Sequence, residues 1–462
     1  MVKTDGEEYD MIEVSAGSIL TSIISILIYQ LLPALFLLAF CITIHEFGHF
    51  LLAKLLHIPV EKFSIGFGPP LVSTKIGETD FRIAYFPLGG YVKMAGEEEG
   101  EIITTRDKDI EKDQEGKVVE PLGLYDAPIY KRILIIFAGP LFNIASAFVV
   151  ILITFSIFGV AVDPYTTVEV EQESLAEKAG FRNGDSIIAV NETPIHTWND
   201  FLEIISKNIN EKVNVTVIRD TEELSINVVV DPDSLGIMNK VPPILGVVKH
   251  GGPAFRAGMT EGDRVVAVNG QEVHSWYGLV EMVRESGDSS LSIFWEHKGD
   301  KKSAEIVPTA NYDYVLQDTI RQIGVLKPHA RIYYPPGQLL ILAVSRTAGI
   351  TWMTLNIFYQ LITGRISRRA VGGPIAIIQL TTESARWGFE YILSILIIIS
   401  INLGLINLFP VPALDGGHIV IASIEALRRK RFSRKTRLLI QQIGYVIIFL
   451  LIIFVTFNDI TR

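Results

Sequence analysis

Residues 17–44 carry no charged side chain, and they run straight into Thr43-Ile44-His45-Glu46-Phe47-Gly48-His49-Phe50. An uncharged stretch of that length reads as a membrane-spanning helix. A glutamate between two histidines inside it is costly in hydrocarbon unless something compensates it. On a helix, His45 and His49 lie one turn apart on the same face. That spacing lets two imidazoles hold one Zn²⁺, with Glu46 beside the ion as general base. The bland alternative is a chance match on a solvated helix face, and the apolar setting removes the solvent it needs.

Hydrophobic residues make up 49% of the 462, and mean hydropathy is +0.35, high for a wholly soluble chain. The formal net charge of −10 gives no electrostatic case for binding nucleic acid. Cys41 is the single cysteine, which excludes an intrachain disulfide or a cysteine-based metal site. The N-terminus (Asp5, Glu7, Glu8, Asp10, Glu13, with Lys3) lacks the positive region of a cleavable signal.

The apolar runs divide the chain. Residues 1–30 read as an N-terminal extension with a short interfacial helix, and 31–57 as the first span, started at Pro33. Residues 58–130 are expected to form β-hairpins close to or re-entering the membrane, because Gly66-Phe67-Gly68-Pro69-Pro70 and Pro87-Leu88-Gly89-Gly90-Tyr91-Val92-Lys93-Met94 are turn-rich with β-prone flanks. The charge-dense part, 97–120, is expected to be a mobile loop. A second span covers 131–162 and holds Gly139-Pro140-Leu141-Phe142-Asn143, where Asn143 needs a polar partner from another helix or a site. Further spans are expected at 389–427 and 438–458, separated by the basic stretch Arg428-Arg429-Lys430-Arg431.

Between the second and third spans the chain is soluble in character and repeats itself. Ala179-Gly180 through Gly184-Asp185 to Asn191 matches Ala257-Gly258 through Gly262-Asp263 to Asn269, an offset of 78 residues (257 − 179). The same offset carries His196-Thr197-Trp198 onto His274-Ser275-Trp276. The pattern resembles the PDZ domain twice over, at 163–240 and 241–312. Such domains bind extended peptides beside a helix. The nearest candidate for a carboxylate-binding loop is Leu245-Gly246-Val247-Val248. His196 and His274 read as surface or packing residues, with no ligand neighbour at a suitable spacing.

The basic loop at 428–437 is placed in the cytoplasm. With 313–388 treated as a region bearing an interfacial amphipathic helix, four spans follow. The PDZ-like pair and both termini then lie outside, and the Lys- and Arg-rich 58–130 lies inside. His45 falls 12 residues before His57, and Asp415 falls 12 before Leu427, so both sit ~18 Å from the cytosolic edge if helical. Asp415 thus becomes the third protein ligand, at matching depth. Around it, Asn407-Leu408-Phe409-Pro410-Val411-Pro412-Ala413-Leu414-Asp415-Gly416-Gly417-His418 cannot be one smooth helix. Irregular backbone at membrane depth is tolerated only where it lines protein or a wet cavity. Asn402 and Asn407 are candidates to pair with a substrate backbone, and His418 is either a group behind the ligands or a structural one.

Taken together, these residues resemble the site-2 protease family of intramembrane zinc metalloproteases. The resemblance runs from about residue 31 and rests on His45 through His49, Gly66-Phe67-Gly68, Pro87 through Met94, Gly139-Pro140, the PDZ-like pair, Gly373-Pro374, Asn407 through Gly417 and Phe457-Asn458-Asp459. It implies Zn²⁺ on His45, His49 and Asp415, with Glu46 activating water. It implies that Asn407, Gly66, Phe67, Gly68, Gly90, Tyr91, Val92 and Lys93 engage substrate. It implies single-span membrane proteins as substrates, of the anti-sigma-factor type or signal-peptide remnants, and a bacterial inner membrane as location. The expected fold is therefore a multi-pass α-helical membrane protein of four transmembrane helices, with membrane-associated β-hairpins and two extracytoplasmic PDZ-like α/β domains. A peptide-binding scaffold with a lost metal site, or a metal transporter, would not require Glu46 beside an intact ligand set.

Overall fold

The computed structural model describes residues 31–96, 123–231, 235–313, 318–366 and 372–461. The N-terminal extension and the loop at 97–120 lie outside the described residues. The chain divides into two compact units, one of Met1–Ile153, Ile341–Ala385 and Tyr391–Arg462, the other of Thr154–Leu340 and Arg386–Glu390.

The first unit begins with α1 (Leu32–Leu55), which has Pro33 in its first turn, where the missing N–H costs nothing. It stops where His57 turns left-handed at φ 60° and the N–H of Ile58 donates to the Ala53 carbonyl at 2.8 Å, a glycine-free version of the usual helix-ending turn. Strands β1 (Val60–Ile76) and β2 (Thr79–Met94) follow. They make more than a simple hairpin. Phe63 pairs with Val92 on one side and with Phe81 on the other, and the Asp80–Ile83 segment pairs again with Val72–Lys75. The chain doubles back at Gly66 and Gly68, whose φ of 91° and 93° suit glycine. The sheet exposes Leu71, Val72, Ile83, Tyr85 and Phe86, an apolar band of the sort that meets lipid.

α2 (Ile129–Phe158) is 30 residues, ~45 Å, and carries Pro140 inside it. The remaining helices of this unit are α5 (Pro336–Ile362), α6 (Pro374–Trp387), α7 (Phe389–Asn407), α8 (Asp415–Arg428) and α9 (Arg434–Ile460); α3 and α4 belong to the repeats described below. Side chains along α9 from Val446 to Phe454 point outward, half or more exposed for most of its length, as a helix solvated by hydrocarbon must be. Five helices (α1, α2, α5, α7, α9) are long and apolar enough to cross a membrane among the described residues. The charge argument counts four. The difference is α5, which extends upstream to Pro336, well beyond the uncharged core at 347–364 that the sequence marks out.

The second unit holds the repeat. The first copy contains β3 (Ser186–Val190), β4 (Thr193–Pro194), α3 (Trp198–Lys207), β5 (Lys212–Arg219) and β6 (Glu222–Val229), with sheet order β4-β3-β5-β6. The second contains β7 (Arg264–Val268), β8 (Gln271–Glu272), α4 (Trp276–Glu285), β9 (Leu291–His297) and β10 (Asp300–Ile306), in the same order β8-β7-β9-β10. Each copy has its own core, around Phe181, Ile187 and Trp198 in one and Met259, Val265 and Trp276 in the other. Asn191 and Asn269 adopt φ of 46° and 50° at equivalent turns. His196 and His274 are exposed.

Two expectations for the second copy change. Its core extends past residue 312, because Ile323 is buried in it. Leu245-Gly246-Val247-Val248 is not the loop bordering the helix groove. Leu245 is 1% exposed, and the segment bridges to the chain at Val325–Leu326, Gly246 N–H donating to the Leu326 carbonyl at 2.8 Å. The groove, about 330 Å³, lies between α4 (Trp276, Leu279, Val283) and the Ile320–Leu326 segment, which leaves the strand Asp318–Gln322. That strand is too short and too polar at Arg321-Gln322 to announce itself in the sequence.

Candidate metal centre

α1 places His45 and His49 on the face that packs against α2, and both are buried, at 6% and 9% exposure. Two glycines allow that approach. Gly48 faces the Ala138 carbonyl and Phe142, and a Cβ at Gly139 would overlap the imidazoles of both His45 and His49. From the other side, α7 ends at Asn407 and the chain runs irregularly through Pro410 and Pro412 before α8 opens at Asp415. Gly416 presses on the carbonyls of Leu408 and Phe409, and Gly417 on that of Val411, with no room for a Cβ at either. The Asp-Gly-Gly sequence thus sets the first turn of α8 directly on the broken chain before it, which fixes where the Asp415 carboxylate points.

Three atoms meet as a result. His45 Nε2 lies 2.9 Å and His49 Nε2 3.6 Å from Asp415 Oδ2, and the two Nε2 atoms are 3.2 Å apart. They form the one group of three or more such donors found among the described residues. Asp415 Oδ2 is buried without a hydrogen-bond partner. Two nitrogen lone pairs and a carboxylate oxygen facing one point repel one another unless a cation sits between them. The Nδ1–H of His49 donates to the Ile135 carbonyl at 2.8 Å, which leaves its Nε2 unprotonated and free to ligate. Two imidazole nitrogens and one carboxylate oxygen, with a position left open, fit Zn²⁺ in a catalytic arrangement.

The sequence candidates distribute unevenly around this point. A cavity of about 390 Å³ is lined by His45, Glu46, His49, Tyr91, Asn407 and Asp415, with Val92 and His418 also on its wall. Asn407 Nδ2 comes within 3.3 Å of His45 Nε2. A Cβ on Gly90 would come 3.2 Å from Glu46 Cγ, so the edge of β2 passes the glutamate at close range. Lys93 turns away to pair with Glu61 at 3.3 Å. Gly66, Phe67 and Gly68 do not line the cavity; Phe67 connects to it by stacking on Tyr91, rings 8° apart in tilt and 6.3 Å between centroids. Asn402 does not line it either.

Some contributors were open or invisible in the sequence. Asn143 Nδ2 lies 3.3 Å from His45 Nδ1, which settles the partner of that residue as a site histidine. The Ile135 carbonyl carries no sequence signal, being backbone. Arg132, Glu425 and Arg437 form a buried ion network at the cavity's rim, with distances of 3.1 and 3.0 Å to the carboxylate and Tyr125 stacked under both guanidiniums. An uncharged-run search places Arg132 and Glu425 at span ends and cannot see that they meet.

The chain has relatives among known proteins. The chain is 32% identical over 460 residues to a Neisseria meningitidis protein named as a zinc metalloprotease, covering 94% of this chain and 99% of that one. It is 31% identical over 464 residues to the regulator of sigma E protease of Salmonella typhi (94% and 99%) and 30% identical over 451 to the regulator of sigma-E protease RseP of Escherichia coli (91% and 96%). A solved PDZ domain of an SdrC-like protein from Listeria monocytogenes matches 20% of this chain and 90% of its own length, at 19% identity and a TM-score of 0.17. The model of peptidase family M50 matches residues 33–451. The chain belongs to peptidase family M50, the site-2 protease family.

Proposed function

We propose that this protein is an intramembrane zinc endopeptidase that cuts the membrane-embedded segment of single-span proteins. The observation carrying the proposal is the convergence of His45 Nε2, His49 Nε2 and Asp415 Oδ2 on one buried point, with Glu46 on the same cavity wall. His45, His49 and Asp415 would hold the ion. Zn²⁺ when bound supplies Lewis-acid polarisation of the scissile carbonyl and lowers the pKa of water to ~7. Glu46 takes the proton of the attacking water and passes it to the leaving amine nitrogen. A helical substrate hides its peptide bonds, so it must unwind to react. The β2 segment Gly90–Val92 passes beside Glu46 and would present its main chain to an extended segment there, and Asn407 supplies a side-chain amide across the cavity.

The relatives' names support a substrate of the anti-sigma-factor type. Signal-peptide remnants share the same single-span chemistry. The charge pattern supports an inner-membrane protein with four spans and the PDZ-like pair outside, where the pair would exclude substrates with bulky external domains. Deleting residues 165–310 should then permit cleavage of untrimmed substrate; unchanged dependence on trimming would refute the filter.

The decisive experiment for the chemistry is Glu46→Gln. It should retain stoichiometric zinc and lose cleavage of a reporter span by about 10²-fold or more. Cleavage at the unsubstituted rate would remove Glu46 from the mechanism.

A further inference from the structure

Asn143 is completely buried on α2, one helical turn beyond Gly139, and its amide meets the ring of His45. Its position is unusually well held. The hydroxyls of Ser146 and Ser400 both donate to its backbone carbonyl at 2.9 Å, and they lie 2.9 Å from each other. Its side chain carries a contradiction. Nδ2 lies 3.3 Å from His45 Nδ1, while Oδ1 is buried with no hydrogen-bond partner. An amide nitrogen can only donate to an unprotonated Nδ1, and that tautomer carries its proton on Nε2. Yet Nε2 of His45 is the atom that faces Asp415 and His49. A histidine ligating through Nε2 must carry its proton on Nδ1, where it needs an acceptor.

A half-turn of the amide removes the conflict between Asn143 and His45, since it exchanges Oδ1 and Nδ2 within the same volume; Asn407 Nδ2, at 3.4 Å, is the longer contact to the same Nδ1. We propose that Asn143 is a positioning residue for His45: its Oδ1 accepts the Nδ1–H of His45, fixing the ring's tautomer and orientation so that Nε2 presents its lone pair to zinc. The arrangement parallels His49, whose Nδ1–H already finds the Ile135 carbonyl at 2.8 Å. One histidine is thus held by backbone and the other by an asparagine, both supplied by α2. The inference rests on reading His45, His49 and Asp415 as the zinc ligands.

Two substitutions test it on the full-length protein. Asn143→Leu keeps the volume and removes the acceptor; Asn143→Asp keeps the shape and the acceptor. Zinc retained against graded chelator is measured for each, together with melting of the metal-free forms. N143L should bind zinc about 10- to 100-fold more weakly, and N143D should stay within about threefold of the unsubstituted protein. N143L holding zinc as the unsubstituted protein does, or N143D losing as much as N143L, would overturn the proposal. A purely packing asparagine would lower the melting of metal-free N143L and leave its zinc affinity unchanged. If the unsubstituted protein holds no zinc, the ligand reading itself falls. If Asp415→Ala loses zinc while N143L keeps it, the ligand reading stands and this inference alone fails.

Discussion

The backbone N–H of Gly373 donates to Oδ1 of Asp459 at 2.8 Å, joining the start of α6 to the end of α9 across 86 residues of sequence. Oδ2 of the same carboxylate accepts from the N–H groups of Ile375 and Ala376, each at 3.1 Å. One aspartate therefore satisfies three of the donors that a helix start leaves open, and it places a negative charge at the positive end of the helix. Pro374 contributes no N–H and needs none. Gly373-Pro374 and Asn458-Asp459 looked like separate landmarks in the sequence; they are two halves of one cap.

Asp459→Ala should free these donors without disturbing the metal site. A lost cap costs about 0.5–2 kcal/mol. Hydrogen exchange at Ile375 and Ala376 should then accelerate, by about tenfold for a mid-range loss. Exchange unchanged at those amides would mean that the carboxylate does not hold the helix start.

Gly139→Ala separates sterics from helix propensity. Alanine inside a helix is ordinarily favoured over glycine by about 0.5–1 kcal/mol. Here the added methyl meets the imidazoles of His45 and His49. G139A should lose zinc by at least about tenfold in affinity, with cleavage falling in step, while the protein still purifies as a folded species. Full zinc occupancy in G139A would show that α1 and α2 can separate enough to absorb the methyl.

The first repeat should resist acid through a single pair. Asp185 is fully buried. Burial pushes its carboxyl upward, but two hydrogen bonds from the Arg219 guanidinium, at 2.7 and 2.8 Å, and one from the Arg182 N–H outweigh it and hold the group below its ordinary value of 3.8. A carboxyl with a lowered folded value contributes stability that is present above the unfolded value and lost as pH falls through the folded one. The wild-type advantage over Asp185→Asn, read by hydrogen exchange in β5, should be full at pH 6 and shrink as pH drops below about 4. A gap independent of pH would assign the effect to packing. The second repeat replaces this arginine by His297, 78 residues on, whose Nδ1 lies 2.7 Å from Asp263.

What the sequence determined by itself follows from local rules. Charge-free runs long enough for hydrocarbon, a His-Glu-x-x-His on one helical face and a repeat at constant offset are all properties of neighbouring residues, and each has a period or a length that can be counted. They sufficed to bring His45, His49 and Asp415 together on paper, because a shared membrane depth is itself a one-dimensional coordinate. Tertiary structure decided what depth cannot: which faces of α1, α2 and α8 meet. The Ile135 carbonyl behind His49, Asn143 behind His45, the absence of any atom but hydrogen on Gly139, the strand that borders the α4 groove and the Asp459 cap all depend on rotation and approach in the other two dimensions. A contact of that kind leaves no period in the chain, since each needs only one residue, of one shape, at one place.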